Sequence, residues 1–460
     1  MSDVLERDLV FTPVATAMPL AGILSALSHA LDLTEGQPAG HCVRCCWIGV
    51  QVGRELGLGA EEIEELYYTI LLKDLGCSSN AARICQLYLS DDRGFKHDVK
   101  LVGDRLPDVL RFVIGHTGLK SGLAERFRAV VNIVRNGGSI ARELIETRCQ
   151  RGAEIARRMR FSGAVAEGIQ GLDEHWNGGG KPLGLAGADI PLYARIALLS
   201  QIVDVFHTSA GPEAALREVR DRTGTWFDPE AVAAFERIAD AGFWATLGSG
   251  EVEAAVFALA PAQRTVDADD SYLDDIAEAF ADVVDSKSPF TRGHSDRVAL
   301  YADLIAEDLG FGEDQRRRLR RAALLHDIGK LGVSNEILDK PGKLDEAEWA
   351  AMRNHAVYSE AILSRIGAFA ELARIGGAHH ERLDGKGYPR GLRAESICLA
   401  TRIVSTADVF DALTADRPYR AAMPVAKALA IMEADVGKAF DPVCFEALRR
   451  AVAKVEPAEA

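Results

Sequence analysis

The sequence predicts an all-α protein built from two tandem, related helical domains. Apolar residues recur at helical spacing through most of the chain, and segments with the alternation of β-strands are missing. Glycine and proline mark the loops between the helical segments. In the second half, this spacing predicts helices over residues 273–284, 298–309, 315–325, 346–365 and 400–413.

Three motifs occur in the same order in both halves of the chain. The first two are 32 residues apart in each half (73 − 41 and 326 − 294). Shared order and spacing predict an internal duplication, with an extra segment of roughly residues 80–129 in the first copy. The paired motifs are 40–44 (GHCVR) with 293–297 (GHSDR), 71–77 (LLKDLGC) with 324–330 (LLHDIGK), and 176–182 (WNGGGKP) with 383–389 (LDGKGYP).

A change of pattern between residues 246 and 270 indicates a domain boundary. There the helical periodicity weakens, and glycine, alanine and acidic residues predominate. We therefore expect an N-terminal domain over residues 1–250, a linker over 251–270 and a C-terminal domain over 271–460. A chain of 460 residues is long enough for each domain to bury its own core.

The composition is that of an ordinary soluble protein, with 48% hydrophobic and 26% charged residues. A net charge of −15 argues against binding to nucleic-acid polymers or anionic membranes. The N-terminal seven residues are acidic, unlike a signal peptide, and no apolar run reaches the roughly 18 residues of a membrane span. We expect a cytoplasmic protein whose eight cysteines are reduced.

The second half contains five histidines, and all of them fall in motifs that are typical of one metal site. A metal pair needs several neutral imidazoles and a carboxylate able to bridge both ions. His326 and Asp327 are adjacent on a predicted helix, and Lys330 follows three residues later on the same face, where it could reach a phosphate. Asp408 is a second candidate carboxylate. The five histidines are His294, His326, His355, His379 and His380.

Residues 272–443 resemble an HD-GYP domain, the bacterial branch of HD phosphohydrolases that hydrolyses cyclic di-GMP. A lone His-Asp pair would be a weak signal, whereas these elements in this order are highly specific. The resemblance rests on 293–294 (GH), 326–330 (HDIGK), 337–342 (ILDKPG), His355, 379–389 (HHERLDGKGYP), 408–413 (DVFDAL) and 417–420 (RPYR).

The resemblance implies two divalent transition-metal ions, iron or manganese. Lys330, with His326 and Asp327, would serve the reaction at the phosphate, Gly387, Tyr388 and Pro389 would shape the substrate loop, and Arg417 would contact a phosphate. Some family members hold a third metal through a glutamate four residues before the first histidine. That position is Phe290 here, which favours two metals. The implied metal ligands are His294, His326, Asp327, His355, His379, His380 and Asp408.

The first copy has lost most of this set. Only His41 and Asp74 survive as candidate ligands, so we expect a catalytically dead, degenerate HD-like domain that serves regulation or dimerisation. A redox or metal sensor at its cysteines is a further hypothesis, although buried apolar cysteines are commoner. The replacements are Lys73 and Cys77 for the motif histidine and lysine, Arg148 for His355, Leu172 and Asp173 for the histidine pair, and Gln201 for Asp408.

The favoured function is a homodimeric, metal-dependent phosphodiesterase that cleaves cyclic di-GMP to pGpG or GMP. Base identity depends on pocket contacts that motifs do not reveal. The same metal centre would equally serve another cyclic dinucleotide, such as cyclic GMP-AMP, or a nucleotide. A hypothesis of a different class is a signalling adaptor that binds without turnover, against which the intact ligand set argues.

Overall fold

The protein is helical throughout the part of the chain that the computed structural model describes, residues 17–103, 105–259, 265–267 and 270–455. This part contains 22 α-helices and two three-residue strands, β1 (Ala17–Pro19) and β2 (Thr265–Asp267), which pair with each other. The predicted all-α class is therefore confirmed. None of the described helices combines the length and apolar character that a membrane span requires.

The chain divides into two compact units. The first contains the described residues of 19–266 together with 334–336, and the second contains those of 267–333 and 337–460 with 1–18. The stretch expected to be a linker, residues 251–270, contains a helix and strand β2. This helix packs on the second helix of the first unit.

The first unit is built around a long central pair of helices, α2 and α9, against which α3 and α11 pack. Apolar residues at helical spacing form this core, among them Ile48, Leu66, Ile196 and Leu199, all fully buried. Its helices are α1 (Leu20–Glu35), α2 (His41–Glu55), α3 (Ala60–Leu71), α4 (Ala81–Tyr88), α5 (Asp92–Val99), α6 (Leu106–His116), α7 (Leu123–Arg158), α8 (Gly163–Gln170), α9 (Leu192–Ala210), α10 (Pro212–Asp221), α11 (Pro229–Ile238), α12 (Ala241–Leu247) and α13 (Val252–Leu259).

The second unit repeats this plan, with α15 at the centre and α16, α20 and α22 packed around it. All five helices predicted for this half are present, with ends shifted by a few residues at most. The helices after residue 269 are α14 (Asp270–Asp285), α15 (His294–Asp308), α16 (Glu313–Leu325), α17 (Asn335–Leu338), α18 (Glu346–Leu363), α19 (Ala370–Gly376), α20 (Leu399–Thr414), α21 (Val425–Glu433) and α22 (Pro442–Val455).

One local prediction was wrong: His326 and Asp327 do not lie within a helix. Helix α16 ends at Leu325, and residues Ile328–Gly332 form a 3₁₀ helix. Because residues three apart eclipse each other in a 3₁₀ helix, Lys330 still lies on the same side as Asp327. Their side chains form an ion pair.

Candidate active site

His294 is placed by the start of α15. The carboxylate of Asp285 accepts hydrogen bonds from the backbone nitrogen and the hydroxyl of Ser295, at 3.2 and 2.8 Å. These contacts satisfy donors that the first turn of a helix leaves without partners. Gly293 precedes the helix with φ 67°, a left-handed conformation that suits glycine. The chain therefore turns sharply into the helix and leaves the His294 imidazole buried.

His326 and Asp327 are held against α18 by a close approach of two backbones. A Cβ atom on Gly329 would lie 1.9 Å from the carbonyl oxygen of His355, so only glycine fits there. The Ser359 hydroxyl donates to the His326 carbonyl at 2.8 Å and accepts from the Gly329 nitrogen at 2.9 Å. The turn and α18 thus hold the imidazoles of His326 and His355 and the carboxylate of Asp327 close together.

Four imidazoles share one orientation. The Nδ1 atom of His294 lies 2.7 Å from Asp411 Oδ2. The Nδ1 atoms of His326, His355 and His379 lie 2.6–2.7 Å from the carbonyl oxygen three residues earlier. Carbonyl and carboxylate oxygens accept, so each Nδ1 donates and each Nε2 is turned toward another partner. This is how metal-binding histidines are commonly oriented.

Asp327 lies between two groups of imidazoles. Its Oδ2 atom is 3.3 Å from the Nε2 atoms of both His294 and His326. Its Oδ1 atom is 3.5 and 3.7 Å from the Nε2 atoms of His355 and His379. Oδ1 of Asp408 is 3.4 Å from His294 Nε2 and 3.8 Å from His326 Nε2. Each oxygen of Asp327 therefore faces its own pair of imidazoles, the arrangement of a carboxylate that bridges two cations.

The donor atoms fit a pair of metal ions. Within the described residues, His294 Nε2, His326 Nε2 and Asp327 Oδ1 are buried and make no hydrogen bond, although other polar atoms lie 3.3–3.5 Å away. Such atoms cost free energy unless something else satisfies them. Three sets of potential ligand atoms lie within 4.8 Å: His294, His326 and Asp327; His326, His379 and Asp408; and His355, His379 and His380.

The electrostatics divide the imidazoles into two kinds. Burial opposes protonation of His294 and His326, but the neighbouring aspartates outweigh it and raise their pKa values to about 9 and about 10. Burial and neighbouring histidines lower the pKa of His380 to about 3, and burial lowers that of His355. Burial would raise the pKa of Asp327, yet Lys330 and His326 hold it well below its usual range.

The loop after His380 packs against the metal ligands. The Tyr388 ring lies 4.7 Å from that of His380, and the Arg353 guanidinium stacks over it at 5.5 Å. Gly387 has no room for a Cβ, which would lie 2.4 Å from the Glu381 backbone. The Glu381 carboxylate accepts from two backbone nitrogens further along this loop, at 2.7 and 2.8 Å. Gly387, Tyr388 and Pro389, joined by a cis peptide bond at the proline, therefore form one fixed wall of the site.

The structure gives Arg417 a turn position rather than a contact with the metal ligands. Its backbone exchanges two hydrogen bonds with Arg420, at 2.8 and 3.0 Å. The Arg420 side chain donates to the carbonyl oxygens of Ala412 and Leu413 at the end of α20, at 2.6 and 2.9 Å. Arg417 is partly exposed beside this cap.

Three residues of this site were assigned no role from sequence. Asp411 holds both His294 and Arg297, Ser359 joins the 3₁₀ turn to α18, and Arg353 covers Tyr388. A signal for Asp411 was present: it follows Asp408 by one helical turn, and its counterpart in the first copy is an aspartate too, whereas that of Asp408 is glutamine. Ser359 and Arg353 carried no such signal.

The first unit contains the same scaffold with a lysine at its centre. Nδ1 of His41 lies 2.6 Å from Asp204 Oδ2, as His294 does from Asp411. Its Nε2 atom lies 3.2 Å from Nζ of Lys73, and this buried ammonium also pairs with Asp74. The Lys73 charge therefore occupies the place where the second unit gathers its free ligand atoms.

A second ion pair replaces the other half of the metal set. Arg148 and Asp173 correspond to His355 and His380, and they contact each other directly. The correspondence is structural: a Cβ on Gly76 would lie 1.9 Å from the carbonyl oxygen of Arg148, as for Gly329 and His355. The alignment of the two copies that the sequence predicted therefore holds in three dimensions.

Two groups of potential ligands also lie together in the first unit, but cations already hold their carboxylates. Asp204 pairs with Arg44 at 2.6 Å, Glu35 with Lys100 at 2.6 Å, and Asp74 with Lys73. Burial raises the pKa of the nearby cysteine thiols, which keeps them protonated and weakly reactive. The groups are His41, Cys45 and Asp204, and Glu35, Asp74 and Cys77.

An all-helical unit that gathers five imidazoles and a second carboxylate around a central aspartate, with a lysine beside it, defines a metal-dependent phosphohydrolase. The family model described as "HD domain" matches residues 129–231 and 278–444, one segment in each unit. The chain belongs to the HD domain family and is an HD-superfamily phosphodiesterase. The family and the enzyme class expected from the sequence are thereby confirmed, and the family match includes a segment of the degenerate first copy.

Similar proteins match nearly the whole chain or about a third of it. The 3′3′-cGAMP-specific phosphodiesterase 3 of Vibrio cholerae serotype O1 is 54% identical over 94% of this chain and 95% of its own. A crystal structure of a cyclic GMP-AMP specific phosphodiesterase from V. cholerae covers 96% of this chain and 99% of its own, with TM-score 0.66 and 48% identity. The cyclic di-GMP phosphodiesterase response regulator RpfG of Xanthomonas campestris is 43% identical over 36% of this chain and 44% of its own.

Proposed function

We propose that the second unit hydrolyses 3′,3′-cyclic GMP-AMP to a linear dinucleotide, using two divalent transition-metal ions. The observation that carries the catalytic part is the convergence of the Nε2 atoms and carboxylate oxygens on both sides of Asp327. The substrate rests on the relative that shares nearly the full length of this chain. Cyclic di-GMP, the substrate favoured from sequence, is supported only by relatives that match about a third of the chain.

The residues divide between two ions. His294, His326 and Asp408 would hold one, and His355, His379 and His380 the other, with Asp327 bridging them. Imidazole and carboxylate ligands suit iron and manganese. When bound, such a pair activates water near neutral pH and neutralises charge on the phosphodiester.

The chain itself positions the substrate. Lys330 is only slightly exposed and carries its charge beside Asp327, where it would bind a non-bridging phosphate oxygen. Tyr388, held between Arg353 and His380, presents a rigid aromatic surface at the edge of the ligand cluster. We assign Gly387 and Pro389 to shaping this wall, and Arg417 to a phosphate contact once the substrate is in place.

A comparative turnover assay tests the substrate. Purified protein, analysed for metal content, would be incubated with cyclic GMP-AMP, cyclic di-GMP and bis(p-nitrophenyl) phosphate, with products separated by chromatography. We expect close to two transition-metal ions per chain and a kcat/KM for cyclic GMP-AMP at least about tenfold above that for cyclic di-GMP, about 1.4 kcal/mol of discrimination. Equal or reversed rates would overturn the substrate assignment and leave the phosphodiesterase assignment intact.

The adaptor alternative gives a different result in the same assay. A protein that is loaded with metal and binds cyclic GMP-AMP in equilibrium dialysis, yet cleaves none of the three compounds, would be an adaptor. The Asp327→Asn variant provides the matched control, since it keeps the shape of the site but removes the bridging charge. Cleavage that persists at the wild-type rate in this variant would come from a contaminating enzyme.

A further inference from the structure

An exposed apolar surface lies on the N-terminal half of helix α7 in the first unit. The helix is 36 residues long, and its first turns belong to the extra segment predicted over roughly residues 80–129. Leu123 and Phe127, on its first turns, are 85% and 70% exposed, and Val134 is 54% exposed. Soluble proteins leave single apolar residues exposed without consequence, but a continuous set indicates a contact surface.

These residues form one stripe along α7, which we call the α7 stripe. At 100° per residue, its members fall within an arc of about 100° on the helix. No charged residue lies on it. Val130 packs against a small core formed with α4, α5 and α6, as Ile133, Ile140 and Leu144 do. The stripe consists of Leu123, Phe127, Val131, Val134 and Gly138.

The helix that carries the stripe is fixed in place. The Arg126 side chain donates to the carbonyl oxygens of Thr117 and Ile114, at 3.1 and 2.9 Å, which ties the end of α6 to the start of α7. Ile114 and Leu119, on this neighbouring stretch, are themselves 53% and 63% exposed. A surface that is already ordered loses little conformational entropy on binding.

The positions of the stripe are complementary under reversal of the helix. Reversing it about the midpoint between residues 130 and 131 places Leu123 opposite Gly138, and Phe127 opposite Val134. Large residues then meet small ones. Gly138 has nothing within 4 Å of the position of a Cβ, so its side of the helix is open to receive a leucine. A surface that is self-complementary under a two-fold rotation is what a symmetric dimer requires.

We propose that the α7 stripe is a homodimer interface, in which the α7 helices of two copies pack antiparallel across a two-fold axis near Val130 and Val131. The sequence led to the expectation of a dimer, and this places its surface. The large exposed apolar residues of α6, α7 and their connection present an area on the order of several hundred Å². That is comparable to the largest apolar patch of a typical monomer, which is often a functional surface, and approaches the roughly 800 Å² that each partner contributes to a stable interface.

Sedimentation of the full chain over a concentration series tests the interface. We expect a dimer for the wild type and a dissociation constant raised at least about 30-fold in F127E, because this residue lies in the centre of the buried stripe. N132E places the same charge on the opposite face of α7 and should leave the dimer unchanged. A monomeric wild type, or a dimer unaffected by F127E, would overturn the proposal.

Crosslinking tests the register. In a C398S background, which removes the exposed native thiol, the double variant F127C/V134C should form a covalent dimer under mild oxidation. F127C alone should not, because residue 127 faces residue 134 of the other copy. Crosslinking by F127C alone would mean a parallel arrangement, and no crosslinking in either variant would exclude contact along the stripe.

Discussion

His41 and His294 occupy equivalent positions in two copies of one scaffold, yet they meet opposite charges. In both, Nδ1 lies 2.6–2.7 Å from an aspartate that an arginine also holds. The Nε2 atom of His294 faces two carboxylates, whereas that of His41 faces the Lys73 ammonium. The comparison indicates that the shared aspartate of this scaffold needs a positive charge beside it. In the first unit the Lys73 ammonium supplies that charge.

This difference explains how a copy survives the loss of its metal site. A buried carboxylate such as Asp74 is costly unless a cation pairs with it. Lys73 provides that cation, and Cys42 and Cys77 donate weak hydrogen bonds to the same carboxylate. Asp327 lacks such donors on its Oδ1 atom. The first unit therefore satisfies the Asp74 carboxylate with its own side chains, whereas a bound ion would satisfy Oδ1 of Asp327 in the second.

The largest effect should follow from removing the bridging charge. In Asp327→Asn we expect kcat/KM to fall at least about 10³-fold, because neither ion retains its shared ligand. Turnover of cyclic GMP-AMP and metal content by mass spectrometry measure this. Asp74→Asn is the matched change in the first unit and should keep turnover and metal content at wild-type levels. Loss of metal in Asp74→Asn would show that the first unit also binds an ion.

Lys73→Met should destabilise the first unit without touching catalysis directly. It leaves Asp74 buried without its cation, which costs about 3–5 kcal/mol. Thermal unfolding, followed by calorimetry, should show a lower melting temperature for this unit.

A double variant separates the loss of the Lys73 charge from the loss of its side-chain packing as causes of the lower stability. Lys73→Met with Asp74→Asn removes both charges, so much of the lost stability should return. An unchanged melting temperature in the single variant would mean that the pair contributes nothing, and that the first unit does not need a cation here.

His41 should make the stability of the first unit depend on pH. Burial and the nearby Lys73 lower its pKa from 6.5 to about 4, although Asp204 favours the charged form. In the unfolded chain the His41 imidazole is therefore protonated near pH 6.5, whereas in the folded unit it is protonated only near pH 4. Stability is fully present above pH 6.5 and falls by up to about 3 kcal/mol as the pH drops to 4.

Urea unfolding between pH 7 and pH 4.5 measures this loss. His41→Gln has no imidazole to protonate, so its stability should fall less steeply over the same interval. Asp204, Arg44, Cys45 and Lys73 surround the ring in both proteins and provide the common background. Parallel curves for the two proteins would contradict the assigned cause.

Much of the candidate site could be predicted because it is built from histidine, a rare residue type. Five histidines in ordered motifs predict the candidate ligands, and the same motifs with lysine and arginine mark the altered copy. The 3₁₀ turn after His326 was not predicted, because it is held by a tertiary contact with α18, the hydrogen bond from Ser359 to the His326 carbonyl oxygen. Ser359 and Arg353 also contact residues far away in sequence, and no local sequence pattern indicates such contacts.

The smallest expected effect compares the two aspartates that orient the histidines. Asp411→Asn weakens the partner of His294 Nδ1 without removing a ligand, so metal affinity should fall about 10–100-fold, as for other residues that orient a ligand. Competition with a chelator measures this. Asp204→Asn makes the same change beside His41 and should leave metal affinity unaltered, since Lys73 already occupies that site. If both variants bind metal equally well, Asp411 holds His294 for folding alone, and the two copies differ only in their ligands.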